Sequence, residues 1–320
     1  MLSKPSRKAI LISTKLIVSS LVMTVLLQKI SFEEIYAAAV QANLEYAVIA
    51  GLLVFLNLFF QYKKWHLLVR LENPKIANTS ILFSLFAGMT LGFITPGRVG
   101  EFGRSLFIKN ADWSRLLGFT VVDKLFSALM IYFFGIFGLS YYFRQNSHIY
   151  MWLPITLIAL FLFAMILYFV LHPQLTRNIL TRSHSYISKH PKLLHVASGL
   201  ENIKRQTVIK LLLYNWLYVL TFFCQFYLLI FAFYPLPIYY GFLGISSIMI
   251  VKTLIPISIA DLGIREGATV FFLGFFDVPQ AYSLNASLLL FFINVLVPGV
   301  IGLIYILKNR FIGNLSINGF

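Results

Sequence analysis

The 320-residue chain is 59% hydrophobic and 12% charged, about half the charged fraction of an ordinary soluble domain, which excludes the soluble globular class. Its 26 Lys and Arg against 11 acids leave a net charge of +15, clustered in loops beside apolar runs; this is the positive-inside pattern with attraction to anionic lipid head groups, not a nucleic-acid footprint. The lone Cys224 sits inside an apolar run, which excludes a disulfide framework and a thiol-rich metal site.

Six apolar stretches read as full spans: Ile10–Ile30, Leu44–Tyr62, Leu116–Phe143, Trp152–Leu171, Val208–Phe233 and Tyr282–Leu307. The first follows Lys4, Arg7 and Lys8 and precedes a run of alanines, as a signal peptide would. It is long for a signal h-region, so a retained span is expected. Lys15 can snorkel to the interface. Asp123 and Lys124 lie further from bulk water.

Between the second and third spans comes Thr95-Pro96-Gly97-Arg98-Val99-Gly100-Glu101-Phe102-Gly103-Arg104. Pro96 and Gly97 break the apolar run Ile81–Thr95. The segment Arg98–Asn110 carries Arg98, Glu101, Arg104 and Lys109, so it cannot face lipid as a span. Spaced by three, Arg98, Glu101 and Arg104 share one helical face. An N-terminal helix end would add free N–H groups, and Gly100 and Gly103 would admit a close neighbour, together a cradle for phosphate with Glu101 holding the guanidinium groups. The plainer alternative is a set of flanking cytoplasmic charges.

The loop His172–Gln206 is the longest polar stretch. Residues Gln174–Lys189 read equally as an interfacial amphipathic helix or an irregular basic loop. His184, His190 and His195 share this loop without acidic or Cys partners, so no metal or cofactor is expected.

The second motif lies between the fifth and sixth spans: Pro256-Ile257-Ser258-Ile259-Ala260-Asp261-Leu262-Gly263-Ile264-Arg265-Glu266-Gly267. Pro256 ends the run Gly241–Ile255, Gly263 supplies a further break, and Asp261 is placed to cap the second leg, Arg265–Phe276. Lys252 lies one turn before Pro256. Arg265 and Glu266 fall away from the basic face, which makes a flanking role a poor explanation for them.

Loop charges put both termini and the basic loops in the cytoplasm, with Tyr141, Tyr142, Tyr150, Trp152, Tyr234, Tyr239 and Tyr240 as an aromatic belt opposite. That orientation requires each motif to return the chain to the side it entered from. The predicted fold is therefore a single all-α integral membrane domain over residues 1–320, with six transmembrane helices and two re-entrant hairpins. Its pseudo-repeats, roughly 10–143 and 152–307, form an inverted-topology pair, and the hairpins break at Pro96, Gly97, Gly100, Pro256, Gly263 and Gly267.

The Pro-Gly-Arg-x-Gly-Glu-x-x-Arg block at Pro96–Arg104, the Gly-aliphatic-Arg-Glu-Gly block ending at Gly267, the Lys63-Lys64-Trp65 cluster and the Asp123-Lys124 pair resemble the lysylphosphatidylglycerol synthase transmembrane-region (flippase-like) family. That family includes the membrane half of the multiple peptide resistance factor and stand-alone members. Asp261 departs from its pattern, where members often carry Gly. The resemblance implies lipid translocation in the inner cell membrane. Arg98, Arg104 and Arg265 would bind an anionic head group. Glu101 and Glu266 would orient the arginines or meet a cationic substituent, with Asp261, Asp123 and Lys124 alongside. The expected partner is a membrane phospholipid or lipid-linked substrate, and a homo-oligomer stays open. The aminoacyl-transfer reaction of the larger members, which resides in a separate soluble domain, is not expected of these 320 residues, and they contain no P-loop. Two alternatives are a membrane-embedded enzyme transferring a group to or from a lipid-linked phosphate or sugar, and a scaffold for partner enzymes.

Overall fold

A computed structural model of the chain describes residues 7–95, 97–146, 152–172, 203–255, 258 and 260–308. Every regular element among them is helical. In chain order they are α1 (Arg7–Lys29), α2 (Phe32–Val40), α3 (Leu44–Glu72), α4 (Asn78–Ile94), a 3₁₀ helix (Val99–Phe107), α5 (Trp113–Asn146), α6 (Trp152–Leu171), α7 (Arg205–Phe233), α8 (Ile238–Leu254), α9 (Ile264–Gly274), α10 (Gln280–Phe291), a π turn (Phe292–Leu296) and α11 (Val297–Lys308).

Of the six expected spans, four helices are long and apolar enough to cross a membrane among the described residues: α3, α5, α7 and the continuous run α10–π–α11. Each is 29 residues or longer, so each exceeds the ~20 residues that cross the hydrocarbon core. Helix α3 runs ten residues past the predicted end at Tyr62, because Lys63, Lys64 and Arg70 stay helical instead of opening a loop. Leu52 and Phe55 on α3 and Phe161 on α6 face outward, as lipid-contacting residues do. The segment Gln174–Lys189, read as either an interfacial helix or an irregular loop, lies outside the described residues.

Helix partners are fixed by small residues and by paired polar contacts. Helices α3 and α7 run antiparallel in extensive contact. The Asn43 amide donates to the Ala232 carbonyl (2.7 Å), Gln225 Nε2 to the Ala50 carbonyl (2.9 Å) and Lys64 Nζ to Asn215 Oδ1 (3.0 Å). Helix α4 packs on α11, and α8 packs on α5. Both seams carry the same device, a Gly-x-x-Gly pair on the long span. Gly299 and Gly302 of α11 meet Phe93, Phe86 and Thr90; Gly135 and Gly138 of α5 meet Ile250, Ser247 and Leu243. Without side chains at these positions the backbones approach closely, which drives helix association in lipid where no hydrophobic effect operates between helices. Thr90 Oγ1 donates to the Gly299 carbonyl (2.7 Å) and adds a polar tie to the first seam.

The two polar motifs each form a helical hairpin. Helix α4 lies antiparallel to the 3₁₀ helix, and α8 to α9. At 17 residues, α4 and α8 are about 25 Å long, shorter than the ~30 Å hydrocarbon core. The leg Arg98–Asn110, expected as an ordinary helix, is a 3₁₀ helix over nine residues, long for that geometry. Its sequence explains it. Gly100 and Gly103 both face Leu91 of α4, while Glu101 and Arg104 face Gly92 and Gly88. Two interleaved period-three patterns fit three residues per turn and would drift apart at 3.6.

Candidate functional site

The hairpins break where Gly97 (φ 61°), Arg98 (φ 56°), Ala260 (φ 52°), Asp261 (φ 64°) and Gly263 (φ 85°) adopt left-handed backbone. Three of these are not glycine, and such conformations concentrate at functional sites because only surrounding structure can hold them. Pro96 and Pro256 lie outside the described residues. Two other expected breaks are not breaks. Gly100 is inside the 3₁₀ helix and Gly267 inside α9; a Cβ at Gly100 would overlap the Leu91 carbonyl, so glycine there admits α4, whereas one at Gly267 would meet only Val22 at an ordinary 3.5 Å.

The two tips meet. The Gly97 amide donates to the Ser258 carbonyl at 2.9 Å, and Arg98 Nη1 lies 3.9 Å from Asp261 Oδ2. Around them is a cavity of about 340 Å³ lined from both halves of the chain. Its cationic lining is Lys64, Arg98, Arg104, Lys124, Lys252 and Arg265. Glu101, Asp123 and Asp261 also line it, and Glu266 stands behind Arg265.

All eight residues predicted for the site are therefore brought to one chamber or its wall. The partnerships differ from those expected. Glu101 does not clamp both arginines. It forms an ion pair with Arg98, Oε1 lying 2.6 Å from Nε, and a second with Lys124, while Arg104 turns to Asp123 (3.0 Å) and stacks its guanidinium 3.9 Å from the Trp65 ring centre. Asp123 holds Lys64 on its other oxygen (3.0 Å), not its neighbour Lys124. Both Asp123 oxygens are taken, one by Lys64 and one by Arg104, and Lys124 projects to Glu101 of the 3₁₀ helix instead. Asp261 does not cap α9 with its side chain, since its left-handed backbone turns the carboxylate back to Lys252 (3.2 Å) and Arg98. The capping contact comes from Glu266, whose Oε2 accepts the Gly263 amide at 2.7 Å.

Arg265 is 3% exposed and Glu266 fully buried. The Arg265 guanidinium pairs with Glu266 and donates through Nε to Ser287 Oγ (3.1 Å), with the Phe291 ring centre 5.3 Å away. A buried charge is tolerated only when paired and hydrogen-bonded, and each of these is. Glu266 thus positions Arg265 and has no oxygen directed at the chamber.

Lys64, Lys252 and several chamber-lining amides and hydroxyls were not among the predicted site residues. Asn57, Gln61 and Asn294 line the cavity; Asn57 and Asn294 lie within apolar spans, where an amide is costly in lipid and therefore informative. The π turn presents Asn294, and such single turns often mark functional positions.

The fold and this chamber define the class: an all-helical, multi-pass membrane protein with an ionised interior built from two hairpins. The chain belongs to the family described as the lysylphosphatidylglycerol synthase TM region, whose profile matches residues 12–302. The match includes both motifs and spans the whole chamber. No curated protein matches the chain.

Proposed function

We propose that this protein is a lipid translocase of the inner cell membrane, moving the polar head of a phosphate-bearing lipid through the chamber while its acyl chains stay in the bilayer. The observation that carries the reading is the meeting of the two hairpin tips, Gly97 on Ser258 and Arg98 beside Asp261, on one cationic cavity. In this reading α3–α5 and α7–α11 are two inverted halves. The antiparallel pairing of α3 with α7, and the reciprocal packing of each hairpin on the other half's Gly-x-x-Gly span, support that relation. The hairpins enter from opposite faces, both termini are cytoplasmic, and rocking of one half against the other exposes the chamber to each leaflet in turn.

The chemistry required is charge compensation at depth. A phosphodiester crossing a hydrocarbon core needs cations that are already desolvated and held in place, which makes the cost of burying the anion small. Arg98 and Lys124 are the most accessible cations of the chamber, 27% and 41% exposed at their side chains. They meet the phosphate first; Arg104 and Arg265, each locked by a carboxylate and an aromatic ring, fix its position. The test is head-group translocation of labelled phosphatidylglycerol in proteoliposomes. Arg265→Ala should abolish it, and transport at the wild-type rate by correctly folded Arg265→Ala overturns the assignment. Product made from a radiolabelled lipid donor by the purified protein would instead identify a membrane enzyme.

A further inference from the structure

Arg104 and Arg265 reach the chamber from opposite halves of the chain and are held in the same way. Arg104 stands on the 3₁₀ leg of the first hairpin. It donates through Nε to Thr120 Oγ1 (3.2 Å) and through Nη2 to Asp123 Oδ2 (3.0 Å), with the Trp65 ring against its face. Arg265 stands on α9, the corresponding leg of the second hairpin. It donates through Nε to Ser287 Oγ (3.1 Å) and through Nη2 to Glu266, with the Phe291 ring nearby. In each half the hydroxyl comes from the helix that follows the hairpin, α5 or α10. Each hydroxyl is also fixed as an acceptor, because Thr120 donates its own proton to the Leu116 carbonyl and Ser287 donates its proton to Glu266 Oε1.

In both arginines Nη1 is the one guanidinium nitrogen without a hydrogen-bond partner among the described residues. Neither Nη1 is sealed off: both side chains keep accessible surface and line the cavity. A guanidinium held at two nitrogens cannot turn away, so each half offers one aimed, charged donor to an anion.

The chamber also carries more positive charge than a single phosphodiester removes. Lys64, Arg98, Arg104, Lys124, Lys252 and Arg265 face Glu101, Asp123, Asp261 and the supporting Glu266, six cations against four carboxylates among the described residues. This excess of two is independent of which oxygen bonds which cation. Lys64, the most enclosed of the lysines, is an ammonium: its Nζ has oxygens of Asp123, Ser127 and Asn215 each at 3.0 Å, and only the charged form carries three protons. Lys252 lies 3.2 Å from the Asp261 carboxylate. A phosphodiester brings one negative charge and leaves one positive charge uncompensated in a partly desolvated space. A phosphate monoester brings up to two charges and three terminal oxygens.

We propose that the preferred ligand of this chamber is a lipid ending in a phosphate monoester. Arg104 Nη1 and Arg265 Nη1 each take one terminal oxygen, and Arg98 and Lys124, the most accessible cations, take the third. This rests on the reading of the chamber as a head-group site and narrows it: phosphatidylglycerol, a diester, is the weaker ligand.

The test is isothermal titration of the full-length protein in non-ionic detergent with two short-chain probes, dihexanoyl phosphatidic acid (a monoester) and dihexanoyl phosphatidylmethanol (a diester). At about pH 8 phosphatidic acid should bind at least about tenfold more tightly, through the further charge it compensates. At about pH 5 the monoester has lost its second charge, which titrates near about pH 6, and the ratio should fall below about threefold. The diester keeps one charge at both pH values and so controls for titration of the chamber's own groups. Lys124→Gln removes one excess charge at a partly exposed side chain, where folding is least at risk; Arg104→Gln removes an anchored guanidinium. Either should weaken phosphatidic acid at least about threefold more than phosphatidylmethanol. Equal affinities at the higher pH, a ratio that ignores pH, or variants that weaken both probes alike would overturn the proposal. Parallel vesicle assays separate the two levels. The expected affinities without translocation of either lipid overturn the carrier reading and uphold the monoester assignment. Equal affinities with translocation of both lipids overturn the monoester assignment and uphold the carrier.

Discussion

The Gly97 amide and the Ser258 carbonyl, 2.9 Å apart, join two motifs that are remote in sequence by a direct backbone hydrogen bond. Backbone groups bond across hairpin tips only when side chains allow close approach, and here left-handed residues on both sides make the room. The tips are therefore one unit. A change at either should be felt at the other, and the ion pair between them, Arg98 with Asp261, is the place to measure it.

Asp261 is the sharpest case. It occupies left-handed backbone (φ 64°) and holds Lys252 at 3.2 Å. Asp261→Gly would relieve a conformational cost of roughly 1 kcal/mol. It would also strip the carboxylate from Lys252, a loss of roughly 2–3 kcal/mol for a mostly buried cation. The expected net effect is a fall of a few degrees in apparent melting temperature in detergent. Asp261→Gly combined with Lys252→Met should return to the wild-type value or above, because both the strain and the orphaned charge are then gone. A single Asp261→Gly that melts higher than wild type would show that strain outweighs the ion pair.

Asp123 anchors two cations from two different elements, Lys64 of α3 and Arg104 of the 3₁₀ helix. Asp123→Asn leaves both without a charge partner and should destabilise by roughly 3–5 kcal/mol, the usual result of breaking a buried pair. Lys64→Met is expected to cost less, since Asp123 keeps Arg104 and the aliphatic stem is replaced by one of similar volume. Thermal unfolding of the two variants side by side checks the order, and equal effects would mean that Asp123 is not the hub.

The motifs themselves were plain in the sequence, because an Arg-Glu pair inside an apolar region has few innocent explanations. Arg98, Glu101, Arg104, Arg265 and Glu266 could be named and expected to converge. What could not be read was which acid takes which base. That depends on the 3₁₀ winding of Val99–Phe107 and on the left-handed turn at Asp261, and both arise from contacts with α4 and with the opposite tip. Lys64 looked like a loop-flanking charge because α3 was expected to stop at Tyr62. It lies inside the helix, 3% exposed. Gly100 reads as a break in the sequence because glycine serves both for sharp turns and for close packing, and residue type alone does not separate the two.

Arg265 offers a test of geometry against charge. Its guanidinium reaches Glu266 and Ser287 together and lies near the Phe291 ring. A lysine keeps the charge but places one point donor where a planar fork was needed. Arg265→Lys should therefore retain most of the fold's stability while lowering translocation of labelled phosphatidylglycerol at least about tenfold, the loss expected when one bidentate contact is removed. Wild-type rates in Arg265→Lys would reduce the residue's part to charge alone.

The seams between the halves make opposite predictions for glycines that look alike in sequence. A Cβ at Gly302 would overlap the Phe86 carbonyl oxygen and Thr90 Oγ1, and one at Gly138 would fall 2.6 Å from Ser247 Oγ and 2.7 Å from the Leu243 carbonyl oxygen. Neither neighbour can withdraw, because the contacts are largely backbone. Alanine at either position should force the helices apart at a cost of roughly 1–3 kcal/mol, as overpacking does. Gly51 lies inside α3 with nothing within 4 Å of its added Cβ. There alanine should stabilise by about 0.5–1 kcal/mol through helix propensity and reduced freedom of the unfolded chain. Melting temperatures of Gly302→Ala and Gly138→Ala below wild type, with Gly51→Ala at or above it, are the expected pattern. Because the first two sit on equivalent spans gripping opposite hairpins, they should also slow translocation together. If Gly302→Ala and Gly138→Ala differ in sign, the two seams do not share one mechanical role and the rocking of matched halves fails.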